Sequence, residues 1–250
     1  MTVRTRATLL ILALPLAVHI AGADDKAAFD HSRLDALLRA NVRADGVAYD
    51  ALRADAAKLD EYLAQIAAAR LDSLPRDERL ALLINAYNAC TLRLILDHYP
   101  LQSIRDIPEA RRWKDRRWVV AGRTLSLDEL ENEVIRPEYK EPRIHFAINC
   151  ASRGCPPLRA EAFVASRLDA QLEEQTRRAH ADARFLELTR EGVRLTKLYE
   201  WFAGDFTASG DTVLQFAARY SESLAARLKT TPAPKIEWIE YDWTLNQAGR

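Results

Sequence analysis

Apolar residues fill the chain from position 80 to 96, interrupted only by Asn85, Asn88, Thr91 and Arg93. A run so uniformly apolar, with Pro75 before it and Pro100 after it, predicts a buried helix from near Pro75 to about His98. Upstream, Leu52, Leu59, Tyr62, Leu63 and Ile66 keep helical spacing, so the N-terminal third is predicted to be helical. Trp118-Val-Val-Ala-Gly-Arg-Thr-Leu125 reads as a hairpin turning through Ala-Gly. Ser126 and Glu129 then supply the S-x-x-E pattern of a capping box, opening a short helix to Arg136. Residues 144–148 are wholly apolar but for His145 and predict a buried strand, ended by the turn-forming residues Ala151, Ser152, Gly154, Pro156 and Pro157. Beyond it come a helix over 160–179, a hairpin over 185–196 turning at Glu191-Gly192, a helix over 213–228 and a final strand over 236–241. Strands interleaved irregularly with helices predict an α+β fold: one domain over residues 24–250, its N-terminal third helical, with a mixed, largely antiparallel sheet flanked by helices.

The first residues change where this domain is expected to work. Met-Thr-Val-Arg-Thr-Arg is followed by residues 7–22, which carry no charge apart from a titratable His19, with an apolar core over 9–18 and Ala21-Gly22-Ala23 before Asp24. A basic start, an apolar core and a small-residue end predict a signal peptide over residues 1–23, cleaved after Ala23. The protein is therefore expected to be periplasmic or secreted, and not an integral membrane protein once the leader is gone, since no later segment reads as a membrane span. Without the leader, 34 basic residues face 36 acidic ones. That balance carries no nucleic-acid footprint, which needs clustered excess positive charge. The run Arg111-Arg-Trp-Lys-Asp-Arg-Arg117 is the local exception and reads as a solvated loop.

Candidate chemistry gathers in Arg143-Ile-His-Phe-Ala-Ile-Asn-Cys-Ala-Ser-Arg-Gly-Cys-Pro-Pro157. A cysteine nucleophile needs a base or positive surroundings, a group to orient that base, and donors for an oxyanion. Cys150 is the candidate nucleophile and His145 the nearest imidazole. The backbone amides of residues 151–154 are candidate oxyanion donors. Asn85 and Asn88, three apart on one helix face, are candidates to orient an imidazole or hold a carbonyl, and both are expected to be buried and paired. Glu131, Ser152, Arg153 and Asp242 are the candidate substrate-binding residues. In a regular strand a separation of five puts His145 and Cys150 on opposite faces, so the two meet only if the chain bends near Asn149. Cys150 and Cys155 are also close enough to pair as a disulfide in an oxidising compartment, leaving Cys90 as an inert core thiol. His145, Cys150, Cys155 and Glu131 suit zinc by type but lack the usual paired spacing, and no metal or cofactor is predicted. Asp205 reads as a helix or turn cap, His98 as a cap or surface residue, and His31 and His180 as solvated.

Five segments in order extend this picture: Leu83-Ile-Asn-Ala-Tyr-Asn-Ala89, Leu125-Ser-Leu-Asp-Glu-Leu-Glu-Asn132 with Ile135-Arg-Pro137, His145 through Leu158, Trp201-Phe-Ala-Gly-Asp-Phe206, and Tyr241-Asp-Trp-Thr-Leu-Asn246. Together they resemble the DUF547 family, a domain of unknown function seen in bacterial exported proteins and in plant proteins beside coiled-coil segments. In plant relatives the counterpart of Cys150 is kept and that of Cys155 is often missing. The resemblance thus implies Cys150 as the working residue and leaves the activity open.

Two functions fit these residues. The first is a thiol-dependent hydrolase or acyl-transfer enzyme acting on a peptide-like or acylated substrate of the cell envelope, with Cys150 attacking a carbonyl and His145 handling the proton. The second is a non-catalytic binding or scaffolding domain for an unknown envelope partner, in which the asparagines, Glu131 and the cysteine loop form a polar network that fixes the fold.

Overall fold

A computed structural model describes residues 28–249. The expected signal peptide lies outside the described residues. Helices α1 (Ser32–Asn41), α2 (Tyr49–Ala54), α3 (Ala56–Ala67) and α4 (Arg76–His98) build the N-terminal third, with a short hairpin of β1 (Val42–Arg43) and β2 (Gly46–Val47) between the first two. Pro75 precedes the first residue of α4, as its fixed φ favours. α4 is long and apolar enough to cross a membrane, but 89% of its apolar window is buried inside the protein. It is the central core helix, apolar around its whole circumference because neighbours cover every face.

A second hairpin joins β3 (Trp118–Val120) to β4 (Arg123–Leu125). Its turn residues Ala121 and Gly122 both have positive φ, 49° and 75°. The N–H groups of these two residues donate to Ile66 and Ala67, satisfying carbonyls that the end of α3 leaves open. The expected capping box is present: Ser126 accepts from the Glu129 N–H and Glu129 reaches back to the Ser126 N–H. The helix it opens, which follows the short α5 (Glu109–Arg112) and the hairpin, is not uniform. α6 (Leu127–Glu129) widens into a π-helical segment, Leu130–Ile135, before α7 (Arg136–Tyr139).

The expected strand over 144–148 is not a strand. Pro142–Phe146 is a 3₁₀ turn that continues through Ala147 and Ile148, whose N–H groups both donate to the Ile144 carbonyl. Glu141 starts it by accepting from the Arg143 N–H, with Pro142 at the first position. A short apolar run has the same pattern whether it is a buried strand or one buried helical turn, and the cap decides between them. The helix expected from residue 160 begins later, as α8 (Leu168–His180). Side-chain amides capture the preceding backbone: Asn85 bridges the N–H and C=O of Phe163, and Gln171 binds Val164 N–H and Ala162 C=O.

The C-terminal third carries a sheet in the order β5 (Leu186–Leu188), β6 (Gly192–Thr196), β7 (Lys235–Ile239). β5 and β6 are antiparallel, and β6 and β7 parallel, the crossover being made by α9 (Leu198–Trp201), α10 (Ala203–Thr207), α11 (Val213–Ala218) and α12 (Glu222–Thr230). The pairing of Leu188 with Val193 puts the hairpin tip at Arg190-Glu191, one residue earlier than expected. Gly192 serves the parallel neighbour instead: a Cβ there would lie 2.2 Å from the Lys235 carbonyl oxygen. The single helix expected over 213–228 is two, because Ser221 caps a new start at α12. The fold is α+β, with a helical first third and a mixed sheet flanked by helices.

Apolar side chains form two clusters. One surrounds α4, and the other fills the space between the sheet and α9–α12. The segment following Pro142 lies along their seam, with Ile144, Ala147, Ile148 and Ala151 in the first cluster, Phe146 in the second, and Cys150 packed against the second. Trp243 packs against both.

A two-residue turn with positive φ at both positions favours asparagine before glycine, and a left-handed residue with a Cβ costs roughly 1–2 kcal/mol. Ala121→Asn should therefore stabilise the protein by about 0.5–1 kcal/mol in denaturant unfolding. An unchanged or lower stability would show that the turn is held by α3 alone.

Candidate functional site

An irregular buried backbone needs partners for its N–H and C=O groups, and residues 147–154 obtain them from side chains and from the distant segment after β7. The Asn88 amide, projecting from α4, donates to the Ala147 carbonyl (3.0 Å) and accepts from the Asn149 N–H (2.8 Å). Asn149 accepts from the Ala151 N–H (2.8 Å) and donates to the Pro156 carbonyl (2.7 Å), drawing the loop back on itself. Asn246 donates to Asn149 and accepts from the Tyr49 hydroxyl. The segment after β7 lies along the outer side of the loop: Arg153 N–H donates to Thr244, Gly154 N–H to Asp242, and Asn246 N–H to Ala151. Gly154 permits that approach, since a Cβ there would be 2.9 Å from the Asp242 nitrogen and from the Tyr241 ring.

Cys150 is thereby presented to a cleft of about 190 Å³ walled by Trp113, Trp201, Trp243, Tyr241, Phe202 and Tyr87, with Glu131, His145 and Cys155 as its other functional groups. The Cys150 Sγ lies 3.1 Å from both Ser152 Oγ and Tyr241 Oη, which are 3.0 Å from each other. The Cys150 N–H donates to Cys155 Sγ at 3.0 Å, and the Cys155 thiol donates to the Ile148 carbonyl at 3.8 Å. Hydrogen bonds from Cys155, then Ser152 and Tyr241, prevail over burial and draw the Cys150 thiol down to about 6. Burial pushes Cys155 up, so it stays a neutral donor, and burial likewise keeps Tyr241 protonated. All three cysteines are free thiols, and Cys90 is buried and raised by burial, the inert core thiol expected.

His145 faces the same cleft, because the helical turn replaces the strand that would have put it on the opposite side. Its Nε2 lies 2.7 Å from Asp205 Oδ2, and its ring stacks on Phe202 with centroids 4.0 Å apart. Burial lowers the His145 pKa against the pull of Asp205, so the imidazole is neutral. Burial works to raise Asp205, but hydrogen bonds from His145 and the two-pronged Arg136 (2.7 and 3.1 Å) hold its carboxyl well below the usual range. No hydrogen bond joins His145 to Cys150 among the described residues.

Glu131 sits at the start of the π-helical segment, a distortion that recurs at functional sites because it re-aims a side chain. Burial raises its carboxyl to about 7, against a hydrogen bond with Tyr87 and the pull of Arg136, with the Cys150 charge adding to the rise.

The other candidate residues divide. Asn88 braces the cysteine loop, whereas Asn85 binds Phe163 and lies outside the cleft wall. Both are buried and paired, as expected. Ser152 touches Cys150. Arg153 lines a separate cavity on the far face of the loop, beside Arg43 and Arg184. Asp242 is exposed and closes a turn by accepting from the Thr244 N–H. The expected nest of amides over 151–154 is broken up: Ala151, Arg153 and Gly154 donate within the protein. His31 and His180 are buried, not solvated, bonded to Tyr62 and Tyr199. Asp205 and Tyr241 escaped notice because each reads locally as a cap or a core ring, although both lie in segments that carried the family resemblance.

Residues 71–178 match the family model described as "Protein of unknown function, DUF547". The chain carries a DUF547 domain. The matched DUF547 region holds Cys150, His145, Glu131, Asn85 and Asn88, while Asp205 and Tyr241 come from the chain beyond it. No curated protein and no solved structure matches the chain.

Removing either asparagine orphans two backbone groups, at roughly 1–3 kcal/mol per buried group. Asn85→Ala and Asn88→Ala should both lower the melting temperature, but only Asn88→Ala should slow alkylation of Cys150, because only it releases the cysteine loop. Equal alkylation rates in the two variants would detach Asn88 from the site.

Glu131 also makes a stability prediction. Its folded pKa of about 7 lies above the ordinary 4.5, so between these pH values the unfolded chain releases a proton that the folded one keeps, and stability falls as pH rises. Glu131→Gln removes that penalty. Relative to the parent, the variant should gain stability from pH 4.5 to 7, by up to about 3 kcal/mol, and show no gain at pH 4. A pH-independent difference would place Glu131 in water.

Proposed function

We propose that this protein is an exported thiol-dependent hydrolase or acyl-transfer enzyme in which Cys150 attacks the carbonyl of a short apolar acyl group. The observation that carries the reading is the placing of the Cys150 sulfur 3.1 Å from both the Ser152 and Tyr241 hydroxyls, beside Cys155, at the floor of an aromatic cleft. A thiolate formed by hydrogen bonding needs no base to activate it.

The proton inventory then decides the partners. Above pH 6 the cleft holds a thiolate and a neutral His145, whose Nε2 is engaged by Asp205. Glu131 is the group there that still holds a transferable proton near neutrality, the condition for an efficient acid and base. Cys150 Sγ forms a bond to the carbonyl carbon, and the negative charge moves to the carbonyl oxygen. The hydroxyls of Tyr241 and Ser152 follow it there, taking the part first expected of the loop amides. As the tetrahedral intermediate collapses, the leaving group takes the Glu131 proton. The resulting carboxylate removes a proton from water, which cleaves the thioester and restores both groups. The proton role that the sequence pattern gave to His145 passes in this reading to Glu131, and His145, fixed by Asp205, shapes the wall.

The cleft also limits the substrate. A volume of about 190 Å³ holds about six groups of water size at ~30 Å³ each. Aromatic walls favour an apolar acyl group or a single aromatic side chain over a charged one. Trp201, 45% exposed and packed beside Trp243 and Tyr241, offers a face at the rim to the rest of an acylated or peptide-like envelope molecule.

Hydrolysis of short-chain p-nitrophenyl esters should follow a narrow bell in pH, rising near 6 as Cys150 ionises and falling near 7 as Glu131 does. Glu131→Gln should lower kcat by about 10²- to 10⁴-fold while iodoacetamide still labels Cys150 at the parent rate. Cys150→Ser should abolish turnover with the fold intact. Turnover that survives Cys150→Ser would overturn the proposal, and a Cys150 unreactive below pH 7 would favour a non-catalytic binding domain.

A further inference from the structure

Cys155 has a property that acyl transfer does not use. It is a second thiol held against the reactive one, on a loop whose five-residue step returns to the same point. The Cys150 N–H donates to Cys155 Sγ at 3.0 Å, and the Cys155 thiol donates to the Ile148 carbonyl at 3.8 Å. Cys155 is 6% exposed and lines both the cleft and the cavity on the far face, so it forms the partition between them. Both sulfurs are free. Such an arrangement matches a peroxidatic thiol with its resolving partner, where a low-pKa accessible sulfur is poised next to a second cysteine.

We propose that Cys150 and Cys155 form a reversible dithiol–disulfide couple that reacts with small hydroperoxides. In the first step Cys150 Sγ attacks the terminal peroxide oxygen. An S–O bond forms, the O–O bond breaks, and the departing alkoxide or hydroxide leaves as alcohol or water with one proton, giving the Cys150 sulfenic acid. In the second step Cys155 Sγ attacks the Cys150 sulfur. The S–S bond forms, the S–O bond breaks, and the hydroxyl leaves as water with the Cys155 proton. The two sulfurs together lose two electrons and the peroxide gains them. The loop already positions the second step: conversion of Cys150 to a neutral sulfenic acid removes the negative charge that opposes ionisation of Cys155. The disulfide ties up the nucleophile and protects it from the irreversible sulfinic state. A dithiol reductant restores both sulfurs. None of these steps depends on Cys150 attacking a carbonyl.

The test treats the native full-length chain with hydrogen peroxide at pH 7 and reads mass and thiol content, not turnover, so it stands apart from the fate of the hydrolase reading. Titratable thiols should fall from the three of the sequence to one. The intact mass should drop by two hydrogens, peptide mapping should link Cys150 to Cys155, and dithiothreitol should reverse all three changes. In Cys155→Ser and Cys155→Ala, Cys150 should instead be trapped by dimedone as the sulfenic acid and pass on to the sulfinic acid. Cys150→Ser should leave Cys155 and Cys90 as thiols. Accumulation of Cys150 sulfinic acid in the parent at the rate of the Cys155 variants would overturn the proposal, as would a dimedone yield that Cys155 does not alter. If Cys155→Ser proves unstable, the peptide map of the parent alone still decides, since a linked pair and an overoxidised Cys150 exclude each other on one molecule.

Discussion

Everything at this site rests on a buried backbone that is neither helix nor strand. Between Ala147 and Gly154 the chain gives up regular pairing to present Cys150, and each unpaired N–H or C=O in that environment carries a penalty of about 1–3 kcal/mol. Asn88 meets the requirement from the core helix side and Asn149 from within the loop. Asn246 links Asn149 to the segment after β7. A primary amide donates and accepts at once, so it substitutes for one rung of a β ladder without needing a second strand. That is why asparagine, costly in a helix as apolar as α4, sits at position 88. Asn85 does the same for Phe163 one turn away and so holds the stretch that leads into α8.

The second constraint is electrostatic. A cleft walled by tryptophan, tyrosine and phenylalanine solvates charge poorly, and Cys150 and Glu131 each raise the cost of ionising the other. Cys155, Ser152 and Tyr241 all favour the charged form of the sulfur, whereas Tyr87 and Arg136 favour that of Glu131 too weakly to offset its burial. The negative charge therefore settles on Cys150 and the proton on Glu131. Asp205 does not compete for it, because Arg136 matches its charge on the side facing away from the cleft. His145, between the two, stays neutral by burial. The cleft thus holds two ionisable groups in opposite protonation states between about pH 6 and 7, which follows from unequal hydrogen bonding and not from any difference in burial.

Much of the fold is readable from residues alone where one local signal decides the element. Pro75 and an all-round apolar run specify α4, Ser126 with Glu129 specifies a cap, and Ala121-Gly122 specifies a hairpin turn. Reading fails where two elements share a pattern. Ile144 to Ile148 is equally a strand or one helical turn, and the choice lies with Glu141, whose cap bond is visible only in three dimensions. The π-helical widening after Glu129 leaves no mark in the spacing of Leu127, Leu130 and Val134. For the site, Cys150, His145, Glu131 and Ser152 are legible as reactive types within or near one motif. Asp205 and Tyr241 are not, because their contacts span 60 and 91 positions.

This last separation carries a consequence for how the site arises. The Tyr241 hydroxyl reaches Cys150 only when the segment after β7 has docked along the loop, and that docking requires a glycine at 154 and the Thr244, Asp242 and Asn246 backbone pairings. Cys155, by contrast, is five residues away and lies on the loop itself. Cys155 and Ser152 are available as soon as the loop forms, and Tyr241 only once both apolar clusters are closed at Trp243. The full lowering of the Cys150 pKa is thus a property of the completed fold: the loop supplies Cys155 and Ser152, and Tyr241 is added together with the cleft wall it shares with Trp201 and Trp243.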